Sequence, residues 1–146
     1  MSLINQLRGF RSLEGFSMQQ LAKLASEGEE KGAEPGTVLF REDEEAREMI
    51  FLLEGKLELR SHGKHLADVP SLSLVGEMGV LTNSPRSAAA VVSAPCSYLS
   101  LAKEDFARLT AEDPDLGMKF YRNTAMLLSE QLKRNNLLVE FFQSLS

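Results

Sequence analysis

The sequence is poor in the residues that hold metals and redox centres. Its 146 residues include one cysteine and two histidines. A single thiol, Cys96, cannot form an internal disulfide or hold an iron–sulfur cluster, which needs about four thiolates, and its isolation fits a reducing compartment. His62 and His65 flank a predicted hairpin turn, and a metal centre needs about three or four ligands. We therefore expect no metal site and no other cofactor.

The sequence also lacks long apolar runs and clustered basic residues. No apolar run approaches the ~18 residues of a membrane span, and the N-terminus shows no secretory leader. The 16 lysines and arginines are outnumbered by 21 aspartates and glutamates, giving a formal net charge of −5. Binding to a nucleic-acid backbone depends on clustered positive charge. These absences predict a cytoplasmic protein that binds neither membranes nor DNA.

No pattern singles out a catalytic residue. Carboxylates are abundant, but none is paired in a recognisable general acid–base arrangement, and nothing in the pattern supplies a base for Cys96. The acidic run at residues 42–45 lacks the alternating spacing and central glycine of a calcium loop. We expect a binding module and not an enzyme.

The residues that are present predict a single globular domain over 1–146. The hydrophobic content of 43% and the charged content of 25% are ordinary for such a domain. Leu3, Leu7 and Phe10 share one helical face, and Ser17 with Gln20 forms a capping-box start for a second helix. We expect N-terminal helices over 1–34, a β-rich middle over 35–102 and C-terminal helices over 103–146.

Short apolar or alternating runs separated by turn residues fill the middle of the chain. This pattern is typical of a small barrel or jelly roll. Predicted strands lie at 37–40, 49–54, 56–61, 65–69, 73–75, 87–93 and 97–101.

A long helix is predicted from Pro114 to about Phe142. One face carries the 4-3 spacing of a heptad repeat. This seam consists of Tyr121, Ala125, Leu128, Leu132, Asn135, Val139 and Phe142. The pattern indicates two uses, contact with a second copy or packing of the helix on its own barrel. We expect a homodimer through this helix, with the polar Asn135 favouring one register.

The stretch GEMGVLTNSPRSAAA, residues 76–90, carries the clearest functional signal. Glu77 and Arg86 stand nine positions apart, around a turn signal at 83–85. A short helix after Gly76 would present N–H groups to an anion, and Arg86 would add a bidentate positive charge. Glu77 offers an acceptor for hydroxyl groups. An anion site beside a hydroxyl acceptor suits a sugar phosphate, whereas an ordinary surface ion pair is the alternative.

This stretch resembles the phosphate-binding cassette of the cyclic-nucleotide-binding domain, the family of the catabolite activator protein and the protein kinase A regulatory subunit. The likeness extends over most of the chain. LRGFRSLEGFSMQQLAKLAS resembles the opening helices of the family, and GTVLFRE with MIFLLEGKLEL resembles its first strands, with Gly55 at a turn. The resemblance implies an α+β fold, a double-stranded jelly-roll-like β-roll flanked by N-terminal helices and a long C-terminal helix.

The resemblance also implies a ligand and a site within the cassette, residues 76–88. Glu77 would bind the ribose 2′-hydroxyl and Arg86 the cyclic phosphate. In the family that this stretch resembles, an alanine directly after the arginine goes with a preference for cyclic AMP, and a threonine goes with a preference for cyclic GMP. Ser87 occupies this position here and is intermediate between the two. We expect cyclic AMP, with cyclic GMP as the alternative. The predicted ligand-binding residues are Val75, Gly76, Glu77, Met78, Gly79, Val80, Pro85, Arg86, Ser87 and Ala88.

The output implied by the family is movement of the C-terminal helix, which caps the base through neighbours such as Met126 or Leu127. The chain stops without the helix-turn-helix of the catabolite activator subfamily. We therefore expect the signal to reach a separate effector protein. The alternative is an interaction module of the same fold that has lost nucleotide binding.

Two departures from the family concern the outer rim of the pocket. Asp43 and Ala46 stand in a segment where glycines are usual, and non-glycine residues resist positive φ. Residues 70–75, which lead to the cassette, lack the usual glycine-acid pair. These departures predict a differently shaped loop at the rim.

Overall fold

N-terminal helices and a long C-terminal helix flank a β-rich middle in the described chain, as predicted. The computed structural model describes residues 2–145 except the side chain of Leu138, so both ends of the predicted 1–146 domain lie outside it. The helices are α1 (Leu3–Leu7), a 3₁₀ helix (Arg11–Leu13), α2 (Met18–Glu27), α3 (Glu77–Thr82), α4 (Lys103–Glu112) and α5 (Pro114–Leu145). The strands are β1 (Glu29–Ala33), β2 (Val38–Phe40), β3 (Glu48–Ser61), β4 (Lys64–Val69), β5 (Ser73–Val75) and β6 (Ala89–Ala102).

The strands of the described chain form one antiparallel sheet that is built around two long members. The main path is β1-β6-β3-β4, and two short strands pair off it, β2 with β6 and β5 with β3. β3 and β6 pair over most of their lengths, from Glu48 opposite Ala102 to Arg60 opposite Ala89. β5 ends one residue before Gly76, so the sheet itself delivers the chain to α3. The helices with the antiparallel sheet confirm the predicted α+β class.

The apolar run in β3 supplies both sides of the sheet. Side chains alternate along a strand, so neighbours point to opposite faces. Met49 and Phe51 lie in a core beneath the helices, where Phe51 meets Phe10 edge-to-face. Ile50 and Leu52 lie in a second core inside the roll. The sheet therefore holds the helices on one face and encloses the roll with the other.

Helix α5 is fixed to the rest of the domain along its first half. Asp113 accepts a hydrogen bond from the N–H of Leu116 and so caps the helix, which begins at Pro114. Leu116 and Phe120 are buried in the core beneath the helices. The buried amide of Asn123 donates to the carbonyl oxygens of Ser12 and Glu14, at 3.0 and 2.9 Å. These contacts hold α5 against the N-terminal segment, whereas the side chains described beyond residue 131 are exposed.

The structure corrects the predicted boundaries of several elements. Residues 29–33, predicted to belong to the N-terminal helical part, form β1 instead. The predicted strands 49–54 and 56–61 are one strand, as are 87–93 and 97–101. Gly55 is therefore not a turn. It has φ of +99° at a register shift of β3, where a left-handed residue bends the strand without ending it.

Three smaller expectations have clear outcomes. The capping box of Ser17 and Gln20 is confirmed at the start of α2. The predicted hairpin turn is present but lies one residue earlier than expected, because His62 and Gly63 form it and Lys64 already belongs to β4. Within residues 2–145, no helix is both long and apolar enough to span a membrane.

We expect Gly55→Ala to destabilise the fold strongly. A Cβ at this position would lie 2.4 Å from the carbonyl oxygen of Pro95 and 2.6 Å from the Cβ of Cys96. Left-handed strain of roughly 1–2 kcal/mol and overpacking of roughly 1–3 kcal/mol together predict a loss of about 3 kcal/mol. The measurement is the free energy of unfolding from urea denaturation.

Gly63→Ala is the matched control for this substitution. Gly63 also has positive φ, +75°, but a Cβ there would meet no atom within 4 Å. This variant should lose only the strain contribution, about 1 kcal/mol. Equal losses in the two variants would show that the close approach of β3 and β6 at Gly55 does not matter.

Candidate functional site

The site begins where the chain turns from β5 into α3. Gly76 precedes α3 with φ of +78°, a conformation that side-chain-bearing residues rarely adopt. A Cβ on Gly76 would lie 2.4 Å from Nη1 of Arg86 and 3.2 Å from the ring of Phe40. Glycine is therefore needed at this position for two reasons: it allows the positive φ of the turn, and it leaves room for the Arg86 side chain.

Arg86 is a buried cation, with 3% of its surface exposed. Its Nη1 donates to the carbonyl oxygen of Gly76 at 2.7 Å, and its Nη2 donates to the carbonyl oxygen of Glu48 at 2.6 Å. The guanidinium lies 4.0 Å from the centre of the Phe40 ring, within range of a cation–π contact. These contacts fix the orientation of the guanidinium plane.

The surroundings of Arg86 act on its charged form in two opposite ways. Burial lowers the pKa of Arg86, whereas the carboxylates of Glu48, Glu44 and Glu77 raise it. The nearest approach among these is 3.6 Å, between Nη2 and the carboxylate of Glu48. Nε of Arg86 is buried and has no hydrogen-bond partner among the described residues. The side chain therefore keeps hydrogen-bonding capacity for an anion.

Glu77 provides a carboxylate beside this cation. It is the first residue of α3 and is half-buried. Burial raises its pKa, and its own backbone N–H and the charge of Arg86 act in the opposite direction. A hydroxyl donor reaching this carboxylate would replace hydrogen bonds that burial removes.

One cavity of about 500 Å³ brings the predicted site residues together. This volume lies within the usual range of small-molecule sites, roughly 300–1,000 Å³. Nine of the ten predicted residues line it: Val75, Gly76, Glu77, Met78, Gly79, Pro85, Arg86, Ser87 and Ala88. The side chain of the tenth, Val80, packs in the core beneath the helices.

Sequence reasoning missed several residues that line the same cavity. They come from five different parts of the fold and are Phe40, Leu59, Leu74, Thr82, Ser84 and Gln131. Thr82 and Ser84 belong to the cassette and could have been included with it. Phe40 and Leu59 look like ordinary strand residues, and only the strand pairing brings them to the cavity. Gln131 is one of many polar residues on α5, so the sequence carries no signal that distinguishes it.

The segment between β2 and β3 contacts the cassette through its main chain. The N–H of Asp43 donates to the carbonyl oxygen of Arg86, and the N–H of Arg86 donates to that of Glu44, both at 2.8 Å. Asp43 adopts φ of +68° although it is not a glycine. Ala46 is buried, and a Cβ on Gly79 would lie 2.6 Å from its Cβ. The two residues that depart from the family therefore support the centre of the site.

The segment that leads to the cassette, residues 70–75, also contains a non-glycine residue with positive φ. Leu72 has φ of +67°, and its N–H donates to the carbonyl oxygen of Leu52 at 2.7 Å. Its side chain packs over Gly9, where a Cβ would lie 2.8 Å from it. A left-handed leucine thus stands in the segment that lacks the glycine-acid pair of the family.

A smaller cavity of about 260 Å³ lies between β5, the 3₁₀ helix and α5. It shares Leu74, Glu77 and Gln131 with the larger cavity. Leu127 lines this smaller cavity, whereas Met126 is exposed. Of the two residues expected near the base, only Leu127 therefore faces a cavity next to Glu77.

Other candidate sites contain little chemistry. The described residues include no group of three or more histidine, cysteine or acidic side chains placed to hold a metal. The rings of His62 and His65 contact different carboxylates, those of Glu42 and Glu58. Cys96 is buried, and burial raises the pKa of its thiol. The cavity lined by Glu77 and Arg86 is thus the best-supported site.

Comparison with known proteins agrees with this architecture. The chain is 29% identical over 123 residues to the Pycsar effector protein XpPycTIR of Xanthomonas perforans. This match covers 83% of the present chain and 39% of XpPycTIR. The chain therefore spans less than half the length of this curated relative.

Two solved structures share the fold. A cyclic nucleotide-binding domain from Methylobacillus flagellatus superposes with a TM-score of 0.79 at 22% identity, covering 94% of this chain and 82% of that one. The regulatory domain of Toxoplasma gondii PKA, solved with cAMP, superposes with a TM-score of 0.68 at 20% identity, covering 80% of this chain and 47% of that one.

The family itself is shown by the sequence match. The model of the cyclic nucleotide-binding domain matches residues 30–113, which is more than half of the chain and includes all the strands that line the cavity together with the whole cassette. The chain therefore belongs to the cyclic nucleotide-binding domain family.

Proposed function

We propose that this chain is a regulatory module that binds a cyclic nucleotide in the cavity of about 500 Å³. The observation that carries the proposal is that Glu77 and Arg86 line the same cavity. A cyclic nucleotide has one anionic phosphate and one ribose 2′-hydroxyl close together. A buried cation beside a half-buried carboxylate offers a partner for each.

The two side chains would then divide the ligand between them. Arg86 contributes positive charge to the cyclic phosphate, assisted by backbone N–H groups around Gly79, Val80 and Ser87. Glu77 accepts a hydrogen bond from the ribose hydroxyl. The cyclic-AMP complex of the Toxoplasma gondii relative supports a ligand of this class.

The alternative is an interaction module of the same fold without a ligand. Retention of both Glu77 and Arg86 favours binding, because a pocket that has lost its ligand has no need of either. Calorimetric titration with cyclic AMP and with cyclic GMP decides between the two. Absence of heat and of thermal stabilisation with both nucleotides would favour the interaction module.

A separate effector is the proposed recipient of the signal. The ligand would bias the position of α5, and a ligand shifts such an equilibrium only by its differential affinity for the two positions. The shared wall of the two cavities, with Leu74, Glu77 and Gln131, links the proposed ribose contact to α5. The ion pair between Arg11 and Glu130, at 2.8 Å, ties the same part of α5 to the 3₁₀ helix.

We expect Arg86→Ala to weaken binding of cyclic AMP by roughly 2–5 kcal/mol, because the phosphate loses a desolvated counter-charge. Arg86→Lys should also bind more weakly, since a point charge does not replace the planar fork. The measurement is the dissociation constant from calorimetry. Affinity within about twofold of wild type in Arg86→Ala would mean that the cavity is wrongly assigned.

Two controls accompany this experiment. Arg47→Ala removes an exposed arginine from the segment between β2 and β3 and should leave affinity unchanged. Because Arg86 supports the fold, a ligand-side control is also needed: 2′-deoxy cyclic AMP should bind the wild-type chain more weakly, since Glu77 loses its hydrogen-bond donor. Equal affinity for the two nucleotides would contradict the role of Glu77.

Cyclic AMP is the nucleotide that we expect the chain to prefer. Ser87 and Ala88 line the cavity next to Arg86, and Val75 adds an apolar wall. An apolar surface with one hydroxyl gives little selection for the guanine amino group. Competition between the two nucleotides for a fluorescent analogue measures the preference, and cyclic GMP binding tenfold tighter would reverse it.

A homodimer through α5 is the proposed assembly. The heptad seam lies on the exposed side of the helix, where Leu128, Leu132, Val139 and Phe142 are all exposed. Exposed apolar residues in heptad spacing are typical of a helix that pairs with another. The packing of α5 on its own domain uses Leu116, Phe120 and Asn123, and the seam residue Leu128 also lines the smaller cavity. The part of the seam from Leu132 onward therefore remains available to a second copy.

We expect Leu132→Glu to convert the dimer to a monomer that binds nucleotide more weakly. The Leu132 side chain is 62% exposed on the seam, and a carboxylate there would be buried against its counterpart. The matched control is Leu137→Glu, at an equally exposed position off the seam (65%). Sedimentation velocity measures the mass. A wild-type monomer at high micromolar concentration, with and without nucleotide, would contradict the dimer.

A further inference from the structure

The guanidinium of Arg86 has partners on the side away from the ligand residues. A third cavity, of about 220 Å³, lies against this guanidinium and is lined by Phe40, Glu44 and Glu48 among others. Arg86 lines both this cavity and the larger one. The cation therefore separates an acidic pocket from the proposed nucleotide pocket.

Glu48 is the acidic residue closest to that cation. Its carboxylate lies 3.6 Å from Nη2, and its side chain is 28% exposed. Its backbone carbonyl accepts the hydrogen bond from Nη2, a contact that a change of side chain leaves in place. Glu48 is also the first residue of β3, where it pairs with Ala102.

Two anions near one guanidinium compete for it. Opposite charges a few ångströms apart attract more strongly in a partly buried site than in water. The Glu48 carboxylate already uses part of this attraction, and it repels a second anion placed on the other side of the same cation. Its net effect on a bound phosphate is therefore unfavourable.

We propose that Glu48 is a positioning residue that holds Arg86 back from the ligand and so limits the affinity for cyclic nucleotides. This inference rests on the proposed function. It assigns Glu48 a role opposite to that of Glu77: one carboxylate weakens the phosphate contact from behind, and the other binds the ribose. Weak binding of this kind suits a regulatory site, because the ligand must be released when its concentration falls.

The test is calorimetry of cyclic AMP binding to Glu48→Gln, which keeps the size of the side chain and removes its charge. We expect binding about 3–10-fold tighter than wild type. The dissociation constant should also depend more steeply on salt concentration, because the site becomes more positive. A merely structural role of Glu48 would not change the salt dependence.

Two further variants separate the contact from general charge effects. Glu48→Asp keeps the charge at a slightly greater distance and should lie between wild type and Glu48→Gln. Glu45→Gln removes a charge from the rim of the same acidic pocket, but its side chain is 71% exposed and pairs with Arg47. This control should remain within about twofold of wild type, because exposed charges are screened.

The outcomes distinguish this inference from the function on which it rests. A wild-type chain that binds neither cyclic AMP nor cyclic GMP would contradict both the proposed function and the role of Glu48. If the wild type binds and Arg86→Ala binds poorly, but Glu48→Gln is unchanged or weaker, only the role of Glu48 is wrong. Equal gains in Glu48→Gln and Glu45→Gln would also overturn it, since net charge alone would then explain the effect.

Discussion

The burial of Arg86 is the constraint on which the architecture of the site depends. A guanidinium removed from water needs partners for its charge and its N–H groups. The fold provides them from separate elements: a carbonyl at the N-terminus of α3, a carbonyl at the start of β3 and an aromatic ring at the end of β2. Each of these elements must be in place before Arg86 is accommodated. The cassette and the sheet are therefore stabilised together.

The long strands explain how so small a domain keeps these elements in register. β3 and β6 each contain 14 residues and pair along most of that length. One end of the pair carries Glu48, and the two-residue turn into β4 lies at the other. Register shifts in the middle, at Gly55 and its neighbours, curve the pair without dividing it. The curvature encloses the roll, and β2 and β5 complete the wall on which the cassette lies.

Sequence reasoning named the residues at the centre of the candidate site more completely than those around it. Glu77 and Arg86 could be named because the stretch from Gly76 through the 83–85 turn to Arg86 is continuous in sequence and resembles the phosphate-binding cassette of the family. Phe40, Leu59 and Gln131 were not, since only strand pairing and helix docking bring them to the cavity. Similarly, β1 was missed because its residues, EEKGA, are mostly polar and exposed. Gly55 was interpreted as a turn because a positive-φ glycine in a bulge leaves the same trace in the sequence as one between two strands.

The described contacts of helix α5 with the rest of the domain lie along its first half, so the helix has the mechanical properties of a lever. The buried contacts of the helix end at Asn123, and the ion pair of Glu130 with Arg11 is the last contact with the 3₁₀ helix described above. The 22 residues that follow Asn123, up to Leu145, span roughly 33 Å at the usual rise per residue. A tilt of about 10° at Asn123 would displace the far end by roughly 6 Å. Gln131 lies on this helix about 12 Å from Asn123 and lines the larger cavity. If a ligand tilts α5 as proposed, a small adjustment near Glu77 becomes a much larger displacement near Leu145.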